Sequence, residues 1–560
     1  MSIPEPRAIR RLLPIIFLSL CALSHAAAPA PFVDGERVLF LGDSITRAGG
    51  WHSQISLFYE TRFPERRVTW LNSGTSGDTS AGAVKRLQWD VLERKPSTVV
   101  VMLGMNDAAR DDLPGDIGSD ERVAEFAKNM RALLEKLQAA KVKTLLCTPS
   151  PYDATVKLKS PANPAANKAL TKMAAICREL AQEFDLPLVD FNAPMNAINA
   201  DFQKTNPSFT LIGGDRVHPG ALGNTMMAHL FLEAQGVPGV ISSTAIDAAT
   251  RKATTIENAT LADLEVREDT LSFTLTENAL PMPFDTQGRQ ALRLSPENEL
   301  LKHMPKLERP ADAYTDGGWD GVPWRDRLHR QTLTVTGLPE GEYELLIDDQ
   351  PVGRWFASDL AAGINLSGLR VTPQYQQAGK VAAVHAKRHQ LASWAPRMIA
   401  YTRRFALDPY NIDQSDTIAV KAFLEKLIAE PAGKDRVELG SYTQAMAKQY
   451  LKHKTNEAET TAAISAADDE IHTLNKPVAH RYELRPVSHP LSEEQRKANF
   501  SSRREPEQVS TLASDFLNLL VLDHAGLLRT NLRRRPSLQK VADLAKADKP
   551  TEALDAYRDY

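Results

Sequence analysis

Only 3 of the 560 residues are cysteine, too few for the dense disulfide framework that stabilises small secreted domains lacking a large core. Charge of one sign is also lacking. The 67 Lys and Arg balance 70 Asp and Glu to a formal net charge of −3, so there is no clustered basic excess of the kind that marks a nucleic-acid partner. Beyond the first 26 residues no apolar run approaches the roughly 20 residues that span a bilayer. What remains is ordinary for a soluble globular chain, with 42% hydrophobic and 24% charged residues. The length suffices for about three or four domains.

The first residues have the pattern of an export signal. Arg7, Arg10 and Arg11 form a basic start, Leu12–Leu23 is a short apolar stretch, and Ser24-His25-Ala26 supplies small residues where a signal peptidase cuts. The competing reading, a membrane anchor, needs a longer apolar run. Residues 1–26 are therefore expected to be a signal peptide, and the mature chain to be secreted or periplasmic. Cys21 would leave with the signal. An oxidising compartment permits a bridge between Cys147 and Cys177, but one lies in an expected strand and the other in an expected helix. Two buried thiols fit equally well.

From Glu36 to about Gly236 short apolar runs alternate with helical stretches. Arg37–Leu41, Val68–Leu71, Thr98–Leu103, Thr144–Cys147 and Leu186–Val189 are rich in Val and Leu without polar alternation, as strands buried on both faces are. Between them, Glu121–Ala140 places Val123, Phe126, Met130, Leu133, Leu134 and Leu137 on one helical face, and Ala166–Phe184 has similar spacing. Such alternation implies an α/β fold, a five-stranded parallel sheet flanked by helices, over residues 32–240. The Ser, Thr and Ala of Ile241–Ala259 read as a boundary. Period-two segments then appear at 270–276, 332–336 and 343–352, implying a small antiparallel β module over residues 250–370. Helical spacing follows over residues 371–476, with breaks near Pro396, Pro409 and Pro431. Residues 477–560 read as a tail of uncertain structure, in which Leu512–Leu528 could form an amphipathic helix.

The chemistry is concentrated in four blocks. Val38-Leu-Phe-Leu-Gly42-Asp43-Ser44-Ile45-Thr46 is an apolar strand ending at a glycine, with a serine at its carboxyl edge, where open parallel sheets bind ligands. Serine is a poor nucleophile until a base takes its proton, so a base and oxyanion donors are needed further on. Asn72-Ser-Gly74-Thr-Ser-Gly77-Asp78-Thr79 follows the second strand, Leu103-Gly-Met-Asn106-Asp107 follows the third, and Asp215-Arg-Val-His218-Pro-Gly220 precedes the last helix of the domain.

In order and residue type these blocks resemble the SGNH (GDSL-like) hydrolase superfamily, over about 200 residues. The resemblance implies a flavodoxin-like fold of five parallel strands and a serine esterase working through an acyl-enzyme without a cofactor. Carried onto matching positions, it makes Ser44 the nucleophile, His218 the general base and Asp215 its orienting carboxylate. The backbone N–H groups of Ser44 and Gly77 and the side-chain amide of Asn106 would form the oxyanion hole. The residue types suit those tasks. Fixed donors stabilise the charge that develops on a carbonyl oxygen, a glycine lets backbone approach a ligand, and a carboxylate fixes the histidine tautomer.

Each assignment has a plainer alternative. Ser44 could cap a helix, Gly77 and Gly74 could serve only the loop backbone, and Asn106 could cap the helix after the third strand. His52 is the nearest other base in sequence, but it falls in a helix without a carboxylate partner and reads as surface or substrate-lining. His229 and His385 occupy helix positions without ligand spacing, so no metal is expected. The Asp316–Trp324 loop, with Trp319 and Trp324 among glycines and aspartates, reads as structural before it reads as sugar-facing or calcium-binding. The arginines at 533–535 read as a solvated patch. The expected substrate is a small-molecule or polysaccharide ester, foremost acetylated carbohydrate. A lipid or lysophospholipid ester and a non-catalytic cell-surface binding module are the other readings. No nucleic-acid partner and no stable membrane span are expected.

Overall fold

The computed structural model describes residues 28–109, 113, 115–159, 161–204, 206–267, 269–283, 327–429 and 441–488. The proposed signal peptide, the Asp316–Trp324 loop, Pro431, the 512–528 segment and the arginines at 533–535 lie outside them.

Strand β1 (Arg37–Gly42) is central to the first sheet and pairs in parallel with β2 (Thr69–Gly74) and β3 (Thr98–Met102). β4 (Lys143–Cys147) and β5 (Leu188–Val189) extend it, giving the order β2-β1-β3-β4-β5. Val38, Leu39, Phe40 and Leu41 are all buried, which explains the unbroken apolar run: a parallel strand covered on both faces has no solvent side to mark with polar residues. The expected five-stranded sheet is present. Because β1 connects outward to β2 while β3 lies on its other side, the chain reverses direction between β1 and β3. The loops leaving those two strands diverge there and open a crevice.

Among the described residues eight α-helices accompany this sheet: α1 (Ser44–Ala48), α2 (Gly50–Arg62), α3 (Ser80–Arg86), α4 (Met105–Ala109), α5 (Asp120–Ala139), α6 (Pro164–Glu183), α7 (Asn192–Gln203) and α8 (Ala221–Ala234). In α5 the six expected apolar residues are all buried, and the Ser119 hydroxyl caps its start by accepting from the Arg122 N–H. Cys147 in β4 and Cys177 in α6 are buried and free, not bridged. Burial pushes the Cys177 thiol up to about 12. A cavity of about 440 Å³ lined by Phe32, Val142, Phe184 and Leu186 lies at the amino ends of the strands, opposite the crevice.

The rest of the chain departs from its sequence reading in two ways. The Ser/Thr/Ala segment at 241–259, read as a boundary, is itself built into strands β6 (Val240–Asp247) and β7 (Lys252–Glu257). β6 pairs with β10 (Arg330–Thr336) in parallel, so that four-stranded sheet is mixed. The second departure concerns the tail. Ala479–Pro486 is strand β14, inserted between β9 (Thr270–Glu277) and β11 (Glu342–Ile347) at the centre of a five-stranded sheet that also holds β8 (Ala259–Arg267) and β12 (Gln350–Phe356). Its His480, Tyr482 and Leu484 point inward, and the Tyr482 ring stacks on Phe273 at 4.9 Å. The two sheets share a core that includes Ile246, Val335, Phe273, Leu345 and Leu484.

The helical region is therefore a long excursion of the chain between two strands of one β sandwich, with β13 (Ile364–Asn365) before it. It comprises α9 (Pro373–Ser393), α10 (Ala395–Thr402), α11 (Thr417–Ala429), α12 (Ser441–His453) and α13 (Glu457–Leu474). The expected break near Pro396 falls between α9 and α10, where a proline fits in the first turn of a new helix. Helix α9 lies on α2 of the first domain: the Ser53 hydroxyl bonds His385 Nε2 at 2.9 Å, and His385 Nδ1 lies 2.7 Å from Glu60 Oε2. Among the described residues no helix is long and apolar enough to cross a membrane.

Candidate active site

Ser44 opens α1 directly after β1. The Asp43 carboxylate caps this helix by accepting from the Ile45 N–H at 2.9 Å, and Gly49 ends it with a φ of 74°. Helix α1 is pressed against the end of β2, where a side chain at Gly74 would place its Cβ 2.0 Å from the Arg47 nitrogen. Only glycine fits there. Ser44 is thus fixed at the crevice, with its N–H at a helix start, where backbone donors have no intrahelical partner.

His218 reaches Ser44 from the loop before α8. Its Nε2 lies 2.7 Å from Ser44 Oγ, and its Nδ1 lies 2.6 Å from Asp215 Oδ2. Asp215 also accepts from the Val217 and His218 N–H groups, each at 3.0 Å. Burial acts upward on the Asp215 carboxyl, but those two N–H groups and the His218 ring outweigh it and hold it below the usual carboxylate range. Both His218 and Asp215 are open to solvent. An imidazole held by a carboxylate on one nitrogen and bonded to a serine on the other can accept the hydroxyl proton when that oxygen attacks a carbonyl.

The other two blocks converge on the same edge. Gly77 takes a φ of 72°, a left-handed conformation that costs glycine little, in the turn between β2 and α3. Asn106 lies in the first turn of α4 and donates from Nδ2 to the Asp78 carbonyl at 2.8 Å. That bond ties the Asn106 block to the Gly77 turn, and an amide nitrogen has a second hydrogen to offer. The adjacent Asp107 is buried and accepts from the Ser80 N–H at 3.1 Å. Burial pushes its carboxyl up to about 6, and that of Asp43 up to about 7.

His52 is neither at the surface nor facing the crevice. It is 5% exposed, stacks on Phe40 with ring centroids 4.4 Å apart, and its Nε2 bonds the Thr46 carbonyl at 2.9 Å. Burial pulls its pKa down to about 4. It belongs to the packing beneath α1.

The structure also reveals a buried ionic cluster that motif spacing missed. Arg86 Nε donates to Asp78 Oδ2 at 2.6 Å, while its two terminal nitrogens reach Asp90, the Ser73 carbonyl at 2.8 Å and the Gly42 carbonyl at 2.9 Å. Arg397 of α10 grips Asp90 from the other side. Burial alone would raise the Asp90 carboxyl, but Arg397 first, then Arg86 and Arg94, drive it far below the usual range. Asp78 adjoins Gly77 in sequence and could have drawn notice. Arg397 follows the four blocks by more than 170 residues, and no linear signal ties it to them.

The chain is similar to known proteins both in sequence and in structure. Residues 40–226 match the GDSL-like lipase/acylhydrolase family. Acetylxylan esterase of Geobacillus stearothermophilus is 25% identical over 224 residues, 37% of this chain and 97% of that protein. Thioesterase 1/protease 1/lysophospholipase L1 of Escherichia coli is 28% identical over 182 residues, 32% of this chain and 74% of that protein. The solved structure of a gut microbial diltiazem-metabolizing enzyme is 30% identical, covers 82% of this chain and 100% of its own, and superposes with a TM-score of 0.71. The likeness to that structure thus extends well past the first domain. The chain belongs to the GDSL-like lipase/acylhydrolase family and is an ester-hydrolysing enzyme.

Proposed function

We propose that this enzyme is an exported acetylesterase acting on acetylated carbohydrate through a Ser44-His218-Asp215 triad. The observation that carries the mechanism is the pair of contacts at His218, 2.7 Å to Ser44 Oγ and 2.6 Å to Asp215 Oδ2. Ser44 Oγ attacks the ester carbonyl as His218 takes its proton, and Asp215 stabilises the imidazolium. The charge on the carbonyl oxygen is met by the N–H groups of Ser44 and Gly77 and by the Asn106 amide, each such donor being worth about 10²–10³ in rate. His218 then protonates the departing alcohol. Water, deprotonated by the same histidine, releases the acid from Ser44.

The substrate class rests on likeness to the acetylxylan esterase and on the export pattern of residues 1–26. A fluorophosphonate probe tests the mechanism: labelling should occur in the wild type and vanish in Ser44→Ala. A folded wild type that does not label would sink the triad. Assay on acetylated xylan and on p-nitrophenyl esters of increasing chain length tests the substrate, with acetyl esters expected to give the highest kcat/KM. A preference for long acyl chains would favour a lipid esterase.

A further inference from the structure

We infer that Arg397, from the helical excursion, is a positioning residue that sets the geometry of the oxyanion hole in the first domain. The proposal rests on the triad reading above.

Arg397 is 2% exposed and its guanidinium serves three partners at once. Nε donates to the Gly74 carbonyl at 2.8 Å, Nη2 to the Thr75 hydroxyl at 3.1 Å, and Nη1 and Nη2 bind the two Asp90 oxygens at 2.8 and 2.7 Å. Gly74 and Thr75 open the loop that turns at Gly77. The Asp78 N–H bonds the Thr75 carbonyl at 3.1 Å, which closes that turn. One arginine therefore holds the first residues of the loop whose N–H is assigned to the oxyanion.

The same side chain acts on the other donors through Asp90. Asp90 binds Arg86, and Arg86 binds the Asp78 side chain and the Gly42 carbonyl. The Asp78 carbonyl in turn accepts from Asn106, and Gly42 lies two residues before Ser44. The Thr75 N–H also donates to the Gly42 carbonyl at 3.0 Å. Thus, with Arg94 4.0 Å from Asp90 and Arg404 of the excursion 3.6 Å from Asp78 at its margin, the segments carrying Ser44, Gly77 and Asn106 meet in one buried core of two arginines and two aspartates. Three of those charges come from the first domain. The fourth comes from α10, and it alone joins both Asp90 oxygens to the Gly74 carbonyl through one side chain. A guanidinium suits this position because its planar fork can bind a carboxylate in two places and a carbonyl in a third.

The test compares Arg397→Gln and Arg397→Lys with Ile399→Ala in the full chain, using p-nitrophenyl acetate below the unfolding temperature of each. Ile399 packs in a separate apolar cluster of the excursion with Leu424 and Ala447, so its truncation weakens the same region without touching the loop. Arg397→Gln should lower kcat by about a hundredfold, the loss typical of a misplaced oxyanion donor, while KM changes by less than about threefold. Arg397→Lys keeps the charge but has one nitrogen in place of the three that meet both Asp90 oxygens, Gly74 and Thr75. It should retain the fold and still lose at least about tenfold in kcat. Ile399→Ala should lower the unfolding temperature and leave kcat unchanged. The proposal is overturned if Arg397→Lys turns over at the wild-type rate, or if kcat in all three variants simply follows the fraction folded. Failure of the triad reading would look different: Ser44→Ala would then remain active.

Discussion

Replacing His52 with Gln should leave turnover intact and remove part of the protein's sensitivity to acid. His52 lies against Phe40 and Trp51, and its Nε2 bonds the Thr46 carbonyl. A glutamine amide can make the same bond without titrating. In the folded protein burial, with Arg388 and His385 nearby, brings the His52 pKa from 6.5 to about 4 despite the opposing Thr46 bond. The sign follows from which state takes up the proton. Above pH 6.5 the ring is neutral in both states, and its stabilising effect is fully present. Below that value the unfolded chain is protonated while the folded one resists, so stability falls as pH drops and levels off near pH 4. A tenfold change in proton affinity is worth about 1.4 kcal/mol, which gives about 3 kcal/mol over the whole range and about 2 kcal/mol by pH 5.

Other groups oppose this trend. Burial raises Asp43 to about 7 and Asp107 to about 6, and a raised carboxyl gains relative stability as pH falls. The measurement is therefore the difference between two proteins, in which those contributions cancel. Urea unfolding at pH 7.5 and pH 5, followed by Trp fluorescence, should show the wild type losing about 2 kcal/mol more than His52→Gln. Trp51 packs against His52 with ring centroids 5.5 Å apart and reports on the site directly. Equal losses in the two proteins would refute the argument. Loss of turnover in His52→Gln would refute the assignment of this histidine to packing.

Two further outcomes follow from the fold. Leu484 is fully buried in β14, and Leu484→Ala should cost about 2–5 kcal/mol of stability. An unchanged urea midpoint would mean that residues 479–486 are not part of the sandwich core. Cys147 and Cys177 are buried and free, with both thiols raised by burial. In the native protein neither should react with a thiol reagent at pH 8, and both should react in denaturant without reductant; a Cys147–Cys177 disulfide found by mass spectrometry would contradict the free thiols described.

The first domain was legible because its constraints are local. Val38–Leu41 is apolar since both faces of β1 are covered, and α5 repeats its apolar residues because one face meets the sheet. The four blocks stand out because each follows a strand or precedes a helix at the same edge. Their residues then meet by topology: Ser44 and His218 are 174 positions apart yet in contact. The sandwich was harder to read. β14 has the alternation His480, Tyr482, Leu484, but both its partners lie before the long helical excursion, some 200 residues back in the case of β9. Local pattern can indicate a strand without indicating which strand it joins. Arg397 is the extreme case. Nothing in Ala-Pro-Arg-Met distinguishes a surface arginine from one that binds Asp90, since the distinction lies in a contact 307 residues away. Buried charge makes that contact informative. An arginine enters a protein interior only where carboxylates and carbonyls satisfy it, and here those partners are the backbone and side chains of the loop beside Ser44.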